Sequence, residues 1–160
     1  MFRDETVPFE SHDCATATYF ELPSNYIDVN NVEFDVTNQI YPKGEEPGDA
    51  RAQCSFWQSG LCQVKFFELA PWSDYKVVST DYTSYSIVYG CDTFLAGAIK
   101  LEWLWVLTRT ALEIGTSDWT TMRDNVFDII TDRIPSYDPT TRLRPTIQTV
   151  GSGCSYTAFP

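Results

Sequence analysis

The chain is short of imidazole, of thioether, of cations and of long apolar runs, and each shortage removes a class of function. His12 is its only histidine and no C-x-x-C pair accompanies it. The ligand set for zinc is therefore too thin, and no metal site is expected. The longest apolar stretch, residues 94–107, is broken by Lys100 and Glu102. It falls short of the roughly 18 residues a spanning helix needs, so membrane insertion is not expected. Eleven Lys and Arg stand against 22 Asp and Glu, a net charge of -11. That balance repels nucleic-acid phosphates and anionic lipid headgroups, and nucleic acid is not expected as a partner.

Catalytic signatures are missing too. No G-x-S-x-G, Walker or dinucleotide fingerprint occurs. His12 lies two residues from Cys14, yet a disulfide-bonded cysteine is no thiolate and no third group orients the pair. Glu45-Glu46 sits in a polar loop where a solvated face is the ordinary explanation. The expectation is a protein with no catalytic residues. The N-terminal MFRDETVPFESHD lacks the apolar run of a signal peptide, so a secreted protein would have its signal outside this chain.

What is present is ordinary globular material with a heavy aromatic content. The 160 residues are 43% hydrophobic, which suits a single domain over 1–160. Five Trp, nine Tyr and ten Phe supply large flat surface for a core or a ligand. Short β-type runs cover residues 14–22, 26–41, 75–79, 85–91 and 100–110, separated by Pro, Gly and Asn punctuation. An acidic loop spans 42–49. Two further runs flank Gln58-Ser59-Gly60 like a hairpin. Cys54 and Cys62 would face each other there if the loop were three residues long, which makes a local disulfide plausible.

One segment changes period. After Gly115, Thr116 or Ser117 can cap a helix and Asp118 suits its first turn. Trp119, Met122, Val126, Ile129 and Ile130 then recur at helical spacing up to Pro135. A last β-type run covers 142–150. Seven or eight antiparallel strands, one helix and a final strand favour a closed barrel, which removes exposed edges and can hold one small ligand.

Within 100–109 alternation places Leu101, Trp103, Trp105, Leu107 and Arg109 on one face. The two tryptophans either wall a cavity or fill a core, and alternation leaves both open. Asn31 and Glu33 share a face with Val29, where they either orient a ligand or meet solvent.

Thr80-Asp81-Tyr82-Thr83-Ser84-Tyr85, followed by Ser86 to Cys91, resembles the second signature of the lipocalins, T-D-Y-x-x-Y. Trp105-Val106-Leu107-Thr108-Arg109 resembles the third, in which an arginine ends the last barrel strand before the helix. Cys14-Ala15-Thr16-Ala17-Thr18-Tyr19 and Gly153-Cys154-Ser155-Tyr156 resemble the apolipoprotein D, bilin-binding and crustacyanin branch. The first signature, G-x-W, would lie just upstream of Met1 to Thr6 and is missing, so the N-terminal strand reads as truncated.

The resemblance implies an all-β, eight-stranded up-and-down antiparallel β-barrel, the lipocalin calyx, with one C-terminal α-helix packed on the outside. It implies a Cys14–Cys154 disulfide and leaves Cys91 unpaired. It places Arg109 at the closed end, and Tyr19, Asn31, Glu33 and Trp105 on the calyx lining; Trp103 joins them by alternation. The implied function is binding and transport or storage of a small hydrophobic molecule. A pigment with a coloration role, astaxanthin or biliverdin, comes first; no other cofactor is required. A colourless fatty acid or sterol, or a secreted protein-binding or inhibitory role, is the alternative. Assembly with copies of itself or related lipocalins, and secretion, complete the expectation.

Overall fold

A computed structural model describes residues 2–4, 13–41, 48–67, 69–94 and 99–156. Among these described residues nine strands form one antiparallel sheet: β1 (Phe2–Asp4), β2 (Asp13–Glu21), β3 (Tyr26–Phe34), β4 (Gly48–Cys54), β5 (Leu61–Lys65), β6 (Ser73–Thr80), β7 (Tyr85–Phe94), β8 (Ile99–Thr108) and β9 (Leu143–Pro145). Strands β2 to β8 follow one another as a meander, and β1 lies between β8 and β9.

The count of eight is thus corrected to nine. Three-residue strands at the two ends of the chain make the difference, and the run expected over 142–150 contributes only Leu143–Pro145. Pro139 opens a short helix, α2 (Pro139–Arg142), capped by Asp138, and Pro145 has no N–H to continue a ladder. The run expected over 26–41 stops at Phe34, because Asp35 Oδ1 accepts the N–H groups of Thr37 and Asn38 and turns the chain. The hairpin loop between Cys54 and Leu61 is six residues, not three. Ser55 N–H donates to the Leu61 carbonyl at 2.8 Å, and Gly60 takes the left-handed φ of 79° that returns the chain.

Helix α1 (Ser117–Arg133) is built as its sequence suggests. Thr116 caps it, accepting the Trp119 N–H, and Trp119, Val126 and Ile130 are buried. They pack with Phe2, Ile87, Leu104 and Val106 on the outer face of the sheet. Alternation sends Val88, Trp103 and Trp105 to the inner face, where Phe66 and Tyr75 join them. Val29, Ala50, Ala52 and Val64 continue that inner layer.

Among the described residues no backbone ladder joins β1 to β2. The segment after β9 makes the junction instead: Cys14 N–H donates to the Ile147 carbonyl at 2.7 Å, and Ile147 N–H donates to Asp13 Oδ1 at 2.9 Å. A register shift between Asp13 and Thr16, with Cys14 at φ 55°, turns Cys14 toward this seam. Cys14 and Cys154 are bridged there, both buried against Phe34, Val36, Tyr41 and Ile147.

A charged cluster ties β1, β8 and α2 together outside the barrel. The fully buried Asp4 carboxylate accepts from Tyr137 Oη and Arg142 Nη2, each at 2.7 Å. Arg142 Nη1 also pairs with Glu102 Oε2, and Lys100 Nζ and Tyr89 Oη donate to Glu102 Oε1 at 2.8 and 2.5 Å. Burial pushes the Glu102 carboxyl up, but the bonds from Lys100, Tyr89 and Arg142 outweigh it and hold the group below its ordinary value of 4.5.

Two outcomes are expected. Cys154→Ser opens a bridge spanning 140 residues in sequence and should cost about 2–5 kcal/mol, read as a lower denaturant midpoint; an unchanged midpoint would contradict the seam. A depressed carboxyl stabilises the fold above its unfolded pKa and loses that contribution as pH falls through the folded value. Stability should therefore drop below about pH 4.5, and Glu102→Gln should flatten the drop in acid unfolding curves.

Candidate functional site

The inner face of the sheet follows from its registers. Tyr19 pairs with Val29 and Ala17 with Asn31, so these four share the face that Val29 contributes to the interior. Glu33, two residues beyond Asn31, is 7% exposed on that same face of β3. Trp103 and Trp105 are 8% and 6% exposed, with ring centroids 6.3 Å apart, and Phe66 lies 6.2 Å from Trp105. They form an aromatic wall. Trp103 rests on Gly90, its partner in the β7–β8 register. A Cβ at position 90 would fall 2.0 Å from Trp103 Nε1 and 2.6 Å from the Asp74 carbonyl oxygen. Glycine is thus required by the indole.

A cavity of about 490 Å³ lies beside this wall. It is lined by Ala17 and Tyr19 of β2, Tyr85 and Ser86 at the start of β7, Leu107 at the end of β8, Arg109, and Tyr156 of the C-terminal segment. Tyr19 Oη lies 2.9 Å from Tyr75 Oη, which links the cavity to the aromatic wall across the sheet. Of the five residues proposed from sequence to meet a ligand, Tyr19 lines this cavity. Trp103 and Trp105 stand in the wall, and Asn31 and Glu33 lie on the inner face of β3.

The T-D-Y-x-x-Y residues shape the cavity's end. Asp81 Oδ1 accepts the N–H groups of Thr83, Ser84 and Tyr85, and its Oδ2 meets the Ser84 hydroxyl. The Ser84 hydroxyl, with those N–H groups, holds the Asp81 carboxyl far below the usual range. Thr80 Oγ1 donates to the Tyr85 carbonyl at 2.7 Å and accepts the Tyr82 N–H, which leaves Tyr82 at φ 62°. Arg109 N–H donates to the Ser84 carbonyl, fastening the end of β8 to this turn. Thr80, Tyr82, Tyr85 and Arg109 all line the cavity.

Sequence reasoning did not find Gln148 and Tyr156, which also line it. They lie in an irregular segment with no period to read; Tyr156 Oη is positioned by donating to the Gln148 carbonyl at 2.5 Å. Cys54 and Cys62 are bridged across the β4–β5 hairpin, and Cys91 is a half-buried free thiol. His12 and Glu45-Glu46 lie outside the described residues. Among the described residues no cluster of three or more metal-ligating side chains occurs.

The fold and cavity define a class: an antiparallel β-meander curved round an apolar, aromatic interior with a helix against its outer face. No family model matches the sequence. Apolipoprotein D of Rattus norvegicus is 31% identical over 103 residues, 64% of this chain and 52% of that protein. The chain spans about half the length of the curated relatives it matches. Insecticyanin of Manduca sexta superposes with a TM-score of 0.67 at 17% identity, over 98% of this chain and 78% of its own. Lobster apocrustacyanin A1 gives 0.65 at 14%, over 92% and 73%. The chain thus has the lipocalin fold, and its sequence is similar to that of apolipoprotein D over about two thirds of its length.

Gly90→Ala should destabilise the fold by about 1–3 kcal/mol and displace Trp103. Thermal unfolding and the near-ultraviolet circular dichroism of the tryptophans would show both changes; a native spectrum would contradict the packing described.

Proposed function

We propose that the protein binds a small hydrophobic molecule inside the curved sheet, as a carrier or store and not as an enzyme. The observation that carries this reading is the cavity of about 490 Å³ between β2 and the β7–β8 wall. Its volume falls in the range that accepts a drug-sized ligand, and its lining combines apolar side chains with a few hydroxyl, amide and guanidinium groups able to orient one. Transfer of apolar ligand surface out of water supplies about 25 cal/mol per Å² before ordering costs are subtracted. Of the residues we assign to the ligand, Tyr19 lines that cavity, and Trp103, Trp105, Asn31 and Glu33 belong to the adjoining inner face of the sheet.

A pigment is the ligand we put first. Of the two chromophores, compact biliverdin suits a cavity of this size better than extended astaxanthin, whose ends would protrude. The apolipoprotein D relatives support a second reading, a colourless fatty acid or sterol. Two disulfides favour an oxidising compartment and hence secretion.

The test is a visible spectrum of the purified protein after separate incubation with biliverdin and astaxanthin, with free pigment removed by gel filtration. A retained, shifted band is expected, and Leu107→Trp, which fills the cavity, should lower retention by about tenfold. Protein that stays colourless but takes up a fluorescent fatty acid supports the lipid reading. Native protein that retains neither overturns both and moves the function to a protein partner.

A further inference from the structure

The β4–β5 hairpin differs from the rest of this acidic chain. Residues 52–64 carry no charged side chain, while the protein as a whole has 22 carboxylates. Arg51 and Lys65, which bound the segment, stand directly opposite each other in the register. Asp28 faces Arg51 from β3. Three residues further along, roughly 10 Å at strand rise, Cys54 and Cys62 are bridged. Beyond them Phe56 and Trp57 project, 69% and 93% exposed.

This tip is held in place. Ser55 Oγ accepts the N–H groups of Trp57 and Gln58, each at 3.1 Å. The Gly60 carbonyl accepts the Val77 N–H at 2.8 Å, so the loop is fastened to β6 as well as clipped by its disulfide. Little conformational entropy remains to be lost when the aromatic pair meets a surface. The meander places the β2–β3 and β6–β7 turns at the same end, where Phe20 and Tyr82 are also exposed.

We infer that this hairpin docks the protein on a zwitterionic lipid surface, with Phe56 and Trp57 in the interfacial layer and the Arg51–Lys65 collar at the phosphates. Tryptophan favours that layer because its ring is apolar and its N–H is polar, and uncharged glutamines and serines around it can enter without a charge-desolvation cost. The long Arg51 and Lys65 side chains stand behind the disulfide, on the side of the aromatics from which they can reach out to the headgroups. The net charge of -11, with Glu21, Asp28 and Asp81 at this end, selects a zwitterionic over an anionic surface.

The experiment is flotation of the full chain, with no pigment added, on phosphatidylcholine vesicles, which keeps it independent of the cavity ligand. The wild type should float, and the Phe56→Ser/Trp57→Ser variant should lose affinity by at least about tenfold at an unchanged melting temperature. Arg51→Gln/Lys65→Gln should give a smaller loss, and added phosphatidylserine should weaken binding at low salt. Absence of wild-type flotation, or equal flotation by the double serine variant, would overturn the inference. So would a concentration-dependent self-association that Trp57→Ser abolishes without any vesicle binding, because the tip would then be covered by a second copy.

Discussion

The junction at Cys14 sets what the rest of the molecule can do. The nine-stranded sheet among the described residues has two ends, β2 and β9, and its inner face becomes an interior only if those ends are brought together. Here one disulfide and a pair of hydrogen bonds join the start of β2 to the segment after β9. The cavity lies against that seam, because β2 supplies Ala17 and Tyr19, and the segment on the other side supplies Gln148 and Tyr156. The bridge links residues 140 apart in sequence, so its entropic effect on the unfolded chain is near the upper end for a disulfide, about 5 kcal/mol in the chain-entropy description.

Strands β7 and β8 divide their side chains between two tasks. Ile87, Leu104 and Val106 point outward and receive the helix, while Val88, Trp103 and Trp105 point inward and make the aromatic wall. One pair of strands thus anchors the helix and shapes the site, and a substitution on one face is felt on the other through a shared backbone. Gly90 is where this coupling is tightest, since the Trp103 indole occupies the space a side chain would need. The Asp4, Glu102 and Arg142 cluster adds a different constraint. Burying such charges costs desolvation, and partner bonds from Tyr137, Tyr89 and Lys100 offset it. Its geometric consequence is that the start of the chain, the last long strand and the turn before β9 are held in one arrangement.

Much of this was legible in the sequence because it depends on local rules. Period-two alternation over 100–109 identified one face that carries Trp103 and Trp105, and period 3.6 with a Thr116 cap located α1. The resemblance carried by Thr80 to Tyr85 and by Trp105 to Arg109 pointed to the family. Errors occurred where side-chain bonds or proline override propensity. Asp35 ended β3 early, Ser55 and Gly60 lengthened the hairpin loop, and Pro139 and Pro145 reduced the last run to three residues.

Strand identity, the helix, the uncharged hairpin and the aromatic face were therefore determined by the sequence itself, since hydrophobic period and turn chemistry act over a few residues. Which face is interior, how Tyr19 comes within hydrogen-bonding distance of Tyr75, and where a cavity remains were decided only by tertiary structure. Those features depend on bringing β2 beside the segment after β9, a contact between residues more than a hundred positions apart that no local pattern encodes.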